Sequence, residues 1–252
     1  MAIRLRSTLS LAVVLVLACA KAATARADGL ELDFEAGVAV ASVNVVRIPG
    51  EGGTRLSLVD DLEAGAEPAF RVRVGYRIAE RHLITALYAP LQLEASGELG
   101  RDVVFQGETF AAGDPLLATY RFDSYRLTYR FSFVRDEELE LAAGVTGKIR
   151  DAEISLYGAQ AASKTNTGFV PLLNVHAEWR PGGGVIGLVL DADALAAPQG
   201  RAEDVSLALA WDVDDAITLR AGYRMLEGGA DNDEVYNFAW IHYGVIGATL
   251  KI

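Results

Sequence analysis

The stretch from Tyr125 to Phe133 constrains this chain more than any other. Tyr125, Leu127, Tyr129, Phe131 and Phe133 are large and apolar or aromatic, and Arg126, Thr128, Arg130 and Ser132 between them are polar. An unbroken period of two specifies a strand, because successive side chains point to opposite faces of the pleat. The pattern recurs along the chain. Phe70, Val72, Val74, Tyr76 and Ile78 alternate with Arg71, Arg73, Gly75 and Arg77. Ile217, Leu219, Tyr223 and Met225 share a face opposite Thr218, Arg220, Gly222 and Arg224.

About ten such runs are predicted, over 30–44, 69–78, 82–96, 120–134, 138–150, 168–180, 185–195, 204–213, 216–225 and 235–252. In the third run Leu83, Leu87, Leu91 and Leu93 read as the apolar face. In the fifth, phase is lost near Asp151, which reads as a bulge or the end of the strand, and 157–167 reads as a loop of small residues. The connections alternate in length. Short turns fall near 80, 136, 182 and 214, and longer segments near 56, 107, 162, 199 and 230, with a small hairpin expected around Gln106-Gly107. A soluble sandwich has no reason to sort its connections this way. A barrel crossing a membrane does, and runs of this length match a tilted strand spanning a bilayer.

The first 27 residues are set apart. Arg4 and Arg6 precede an apolar run from Leu9 to Ala18, and Ala25-Arg26-Ala27 supplies a small-x-small cleavage pattern, so 1–27 reads as a cleaved signal peptide with the mature chain starting at Asp28. The single cysteine, Cys19, falls inside it after Val16-Leu17-Ala18, a faint lipoprotein-like context that leaves open whether Cys19 is a lipidation site. A mature chain without cysteine has no thiol chemistry. Removing four of the 23 basic residues leaves 19 against 34 acids, a formal charge of −15. That field repels nucleic acid and excludes it as a partner. Hydrophobic residues make up 51% of the chain, yet no mature stretch is long enough for a spanning helix. Alternation reconciles the two, since each strand carries one apolar and one polar face.

The signal segment, the strand–loop rhythm and the last run, FAWIHYGVIGATLKI, together resemble the outer-membrane β-barrel proteins of Gram-negative bacteria. The middle of the chain looks like an uncharacterised family of small barrels. Members commonly end in an alternating strand with a terminal aromatic; here Ala248, Leu250 and Ile252 keep the alternation, and the last residue is Ile. The resemblance implies an outer-membrane location, contact with outer-membrane lipid and lipopolysaccharide, recognition of the C-terminal strand by the barrel-assembly machinery, and a monomer.

The expected fold is therefore all-β: a closed antiparallel up-and-down transmembrane barrel of about ten strands over 28–252, with long loops at about 45–68 and 97–117. A soluble periplasmic lipid-binding barrel is the runner-up, because it would turn the large apolar residues inward. The polar face carries Arg71, Arg73, Arg77, Arg126, Arg130, Glu140, Lys148, Glu178, Asp191, Asp193, Arg220 and Arg224. These residues line either a narrow pore or a packed charge network, and about ten strands lie near the filled end of the barrel size range.

No cofactor, metal or catalytic residue is expected. Asp231-Asn232-Asp233-Glu234 lacks the ligand pattern of a calcium loop. His82 falls beside a short turn, His176 in mid-strand facing inward, and His242 in phase with Trp240. None stands beside a serine or acid pair near a long loop. Omptin proteases share the strand number, but no acid–histidine arrangement like theirs is legible. The expected function is a structural or narrow passive-channel barrel. The alternative is surface interaction or adhesion through the outer loops, and an outer-membrane enzyme fits less well.

Overall fold

The computed structural model describes residues 29–197 and 200–252. The proposed signal segment 1–27, with Asp28, lies outside the described residues. In chain order the strands are β1 (Gly29–Arg47), β2 (Leu56–Ser57), β3 (Glu63–Ala64), β4 (Glu67–Ile78), β5 (His82–Ala89), β6 (Gln92–Glu98), β7 (Val103–Phe105), β8 (Glu108–Phe110), β9 (Pro115–Arg135), β10 (Leu139–Tyr157), β11 (Ala161–Trp179), β12 (Ile186–Ala197), β13 (Gly200–Asp212), β14 (Ile217–Asp231) and β15 (Tyr236–Lys251).

Each long strand pairs antiparallel with the next, and β1 pairs with β15, so the sheet closes. β5 and β6 lie end to end against β9 and form one stave, interrupted at Pro90, whose ring removes a ladder donor. Ten staves complete the barrel. The seam is tight at its base, where Leu30 N donates to Ile252 O at 2.9 Å and Ile252 N to Leu30 O at 2.8 Å. Closure gives every stave a paired neighbour on both flanks, although residues 161–172 of β11 are paired on the β10 side alone, and paired backbone is what a strand structure needs to stand in lipid.

The period of two sorts the faces as expected over the lower two-thirds of the barrel. Phe34, Val72, Tyr125, Leu127, Tyr129, Val145, Leu173, Leu207, Leu209 and Ile246 all point outward and are exposed. Leu127 is 62% exposed, and the belt it belongs to is continuous around the wall. Water tolerates apolar patches of only a few hundred Å² on a typical monomer, so an encircling belt specifies a lipid surround.

Departures from the sequence reading fall in β5, β10, β11, β13 and β14. In β5 the outward residues are His82, Ile84 and Tyr88, whereas Leu83 and Leu87, and beyond the break Leu91 and Leu93, point inward and are buried. Both faces of this stave are apolar, so periodicity alone could not orient it. Second, β10 runs on through Asp151 to Tyr157 without a bulge, and β11 begins at Ala161, so most of 157–167 is a strand hairpin. Likewise β13 and β14 extend into 200–203 and 227–231. Strand extension above the apolar belt replaces three of the predicted long loops. The remaining two, 48–66 and 99–114, are true connections.

Those two connections are ordered against each other. The expected hairpin forms as β7–β8, with Gln106 at φ 54° and Gly107 at φ 86°, the two positive values a two-residue primed turn requires. Phe105 and Phe110 from this hairpin pack with Ile48, Leu56, Leu58 and inward residues of β6 and β9 into one apolar cluster. The interior of the barrel is thus polar toward the short-turn end and apolar toward the long-loop end.

Candidate functional site

The middle of the barrel is crossed by a septum of charged side chains. Asp204 on β13 is its hub. Arg71 Nη1 donates to it at 2.9 Å, Arg126 Nη2 at 2.6 Å and Arg224 Nη1 at 2.6 Å. Arg224 also grips Glu35 through Nε and Nη2, both at 2.8 Å, the fork geometry that suits guanidinium to carboxylate. Arg126 Nη1 reaches Asp193 at 2.8 Å. The same carboxylate accepts from Asn174 Nδ2 and Thr146 Oγ1, each at 2.8 Å. Arg130 bridges Asn174 Oδ1 at 2.8 Å and Asp191, and His176 Nδ1 lies 3.2 Å from Asp191. The network ties β1, β4, β9, β10, β11, β12, β13 and β14 across the lumen. Asp204 is 3% exposed and Arg126 is 6% exposed.

Below the septum, toward the short turns, lies a vestibule of about 640 Å³. Its wall is charged and paired. Arg77 bonds Glu31 at 2.8 Å and Glu140 at 3.2 Å, Arg220 pairs with Asp33, and Arg180 bonds Glu178 at 2.7 Å and Asp212 at 3.1 Å. Arg73 stands between the two regions, 3.8 Å from Asp191. Above the septum a second cavity of about 390 Å³ is mostly apolar. Between them, among the described residues, lie two small voids of about 20 and 10 Å³, the room of a single water each.

Each of the twelve residues singled out on the polar face lies inside the barrel. Eleven of them take part in ion pairs. Lys148 alone does not: it is 2% exposed, its Nζ sits 4.6 Å from the centroid of the Phe122 ring, and no hydrogen bond or ion pair joins it to a described residue. Asp204, Glu35 and Asn174 complete the septum. Their inward phase was readable for the two acids, but their centrality was not, since it depends on which staves face each other across the lumen.

The outward histidines have partners that the sequence did not disclose. His242 Nε2 lies 2.8 Å from Ser42 Oγ, and His242 Nδ1 bonds the Tyr223 hydroxyl. Ser42 is the extra residue at the register shift between Ala41 and Val43, which aims it outward. Its hydroxyl in turn donates to the Trp240 carbonyl at 3.3 Å. At the other rim His82 Nδ1 bonds the Tyr129 hydroxyl at 2.8 Å. Paired polar tips on amphipathic rings are what the aromatic girdles of a lipid-embedded wall need.

The structure is similar in fold to solved outer-membrane barrels. The outer membrane protease OmpT from Escherichia coli superposes with a TM-score of 0.56 at 8% identity, covering 92% of this chain and all of that one. The attachment invasion locus protein Ail of Yersinia pestis gives 0.39 at 13% identity over 89% of this chain and 99% of that one. No protein-family model matches the chain, and no curated protein matches it. At these identities the likeness is one of fold alone: this chain has the closed ten-stranded fold of the outer-membrane β-barrel proteins.

Proposed function

We propose that this protein is a structural, non-conducting barrel of the Gram-negative outer membrane, with its short turns in the periplasm and its long hairpins outside. The observation that carries this reading is the septum. A passive channel needs a continuous water path, whereas here interlocked carboxylates and guanidinium groups leave voids of about 20 and 10 Å³ between two larger cavities. The reading includes no catalytic step. His176 is held by Asp191 within the septum, and His82 and His242 each hold a tyrosine hydroxyl at a rim.

Planar-bilayer recording tests it. The native protein is expected to give no steady conductance, and joint replacement of Arg126, Asp193 and Asp204 by alanine is expected to give steady openings. A steady ion-selective current from the native protein, altered by Arg126→Ala or Arg130→Ala, would overturn the proposal in favour of a pore.

A second reading, surface interaction, is favoured by the order of the outer crown. Segments 48–66 and 99–114 share one apolar cluster, so the surface above it is pre-organised and loses little entropy on binding. Shortening the β7–β8 hairpin at Gln106-Gly107 is expected to leave heat-modifiable gel migration intact and to abolish adhesion to host-cell or abiotic surfaces. Unchanged adhesion would remove this reading.

A further inference from the structure

The upper cavity has a side opening. β11 starts at Ala161, but β12 pairs with it only from Leu173 to Trp179. Among the described residues its upper half therefore has β10 on one flank and no strand on the other. Pro171 stands in this stretch, where strand edges tolerate a residue without an N–H. Across the gap the described pairing of the β12–β13 hairpin reaches Ala197 and Gly200. Phe169, Val170 and Pro171 from one side of the gap, and Leu195, Ala197 and Gly200 from the other, line the cavity of about 390 Å³. The gap lies at the level of the apolar belt. Phe169 is 70% exposed on the outer wall and pairs with Ile149, which pairs with Tyr125, both outward and exposed.

The floor of this apolar cavity carries two basic side chains, Lys148 and Arg150, that make no ion pair with a described residue. Lys148 lines it with three ammonium donors and only the Phe122 ring face beside them. Arg150 lines it too: its Nη2 donates to Asn166, while its Nε is buried without a partner among the described residues. The one carboxylate in the lining, Glu227, is engaged by Arg201. Basic groups with unmet hydrogen-bonding capacity are thus held inside an apolar chamber. Buried polar groups are ordinarily satisfied, and a ring face does not replace hydrogen-bond acceptors for an ammonium.

We propose that this cavity binds a single-chain amphiphile with an anionic head, a carboxylate or a phosphate monoester, taken laterally from the outer leaflet. The head sits between Lys148 and Arg150, accepting the hydrogen bonds they lack. The tail lies along Leu195, Ala239 and Ile241 and leaves past Phe169. The septum beneath it blocks passage onward, so the site holds a ligand rather than passing it.

The inference rests on the membrane reading, and the test separates the two. The full barrel is reconstituted in phosphatidylcholine vesicles with a diazirine-bearing dodecanoate or dodecyl phosphate, irradiated and mapped by mass spectrometry. The expected adducts fall on Phe169, Val170, Leu195 or Ile241, and their yield drops by about tenfold in Lys148→Gln, the loss associated with one charge-assisted hydrogen bond. The methyl ester of the same probe is expected to label these residues at the lower yield. A stronger signal from one acid probe than from the other identifies the head group. Because Lys148→Gln can impair folding, Lys148→Arg is the companion variant, expected to fold and to retain labelling. Adducts spread over outward residues such as Leu127 and Val145, with the ester labelling as well as the acids, would overturn the site while leaving the membrane reading intact. Failure of the native protein to show heat-modifiable migration from vesicles would instead overturn the membrane reading itself.

Discussion

Asp204 accepts from three guanidinium groups brought by three different staves, and one of them, Arg71, is 133 residues away in sequence. Buried ion pairs contribute little net stability, because desolvation offsets most of the attraction, but removing one partner leaves charge without compensation. Asp204→Ala is therefore expected to destabilise the barrel by about 3–5 kcal/mol, measured by urea unfolding from phospholipid vesicles. A loss under about 1 kcal/mol would mean that water reaches the septum freely. At this scale the sequence was informative about direction and silent about partners. Arg126 and Arg130 were readable as inward from their alternation with Tyr125, Leu127 and Tyr129. That Arg126 meets Asp193 and Asp204, and that Lys148 forms no ion pair with a described carboxylate, depends on the stagger between strands, which no local pattern encodes.

At the scale of the element, β9 is the longest strand, lying against β10 along most of its length and against both β5 and β6. Its outward face makes a direct test of the lipid belt. Leu127→Arg is expected to cost about 2–4 kcal/mol, as a cation facing mid-bilayer lipid does, and Leu127→Val to be close to neutral. Folding yield into vesicles reads both, and equal tolerance would reverse the face assignment. Thr128 is not a neutral comparison position. Its hydroxyl is buried and bonds Thr146 at 2.8 Å, so arginine there would be forced into the septum beside Arg126 and Arg130. Strands with one polar face, such as β4, β9 and β14, had their two faces assigned correctly, and β4 was bounded to within two residues. β5 was not oriented correctly, because its inner face is as apolar as its outer one. The extended ends of β10, β11, β13 and β14 were read as loops because, above the lipid, neither face has to be apolar and the period fades.

At the scale of the whole molecule, sorting of the connections pointed to a barrel for a sound reason, although three of the five outer connections proved to be strand. Turns at one end are short because the staves stop where the lipid stops, and the other end is free to grow. Growth there took two forms, an ordered crown over one half and a tall β10–β11 hairpin beside a low β12–β13 hairpin over the other. The inequality of those two neighbours makes the side opening, a feature of relative height that composition and period cannot express.

The seam between β1 and β15 has one more consequence. Leu30 and Ile252 exchange both backbone hydrogen bonds, and every other neighbour in the ring is joined by antiparallel pairing of the same kind. Mechanically the wall is a hoop without a first or last member. A chain rejoined across Leu30 and Ile252 and cut instead at the Asp214-Asp215 turn contains the same contacts, and its order of synthesis rotates while its architecture stays put.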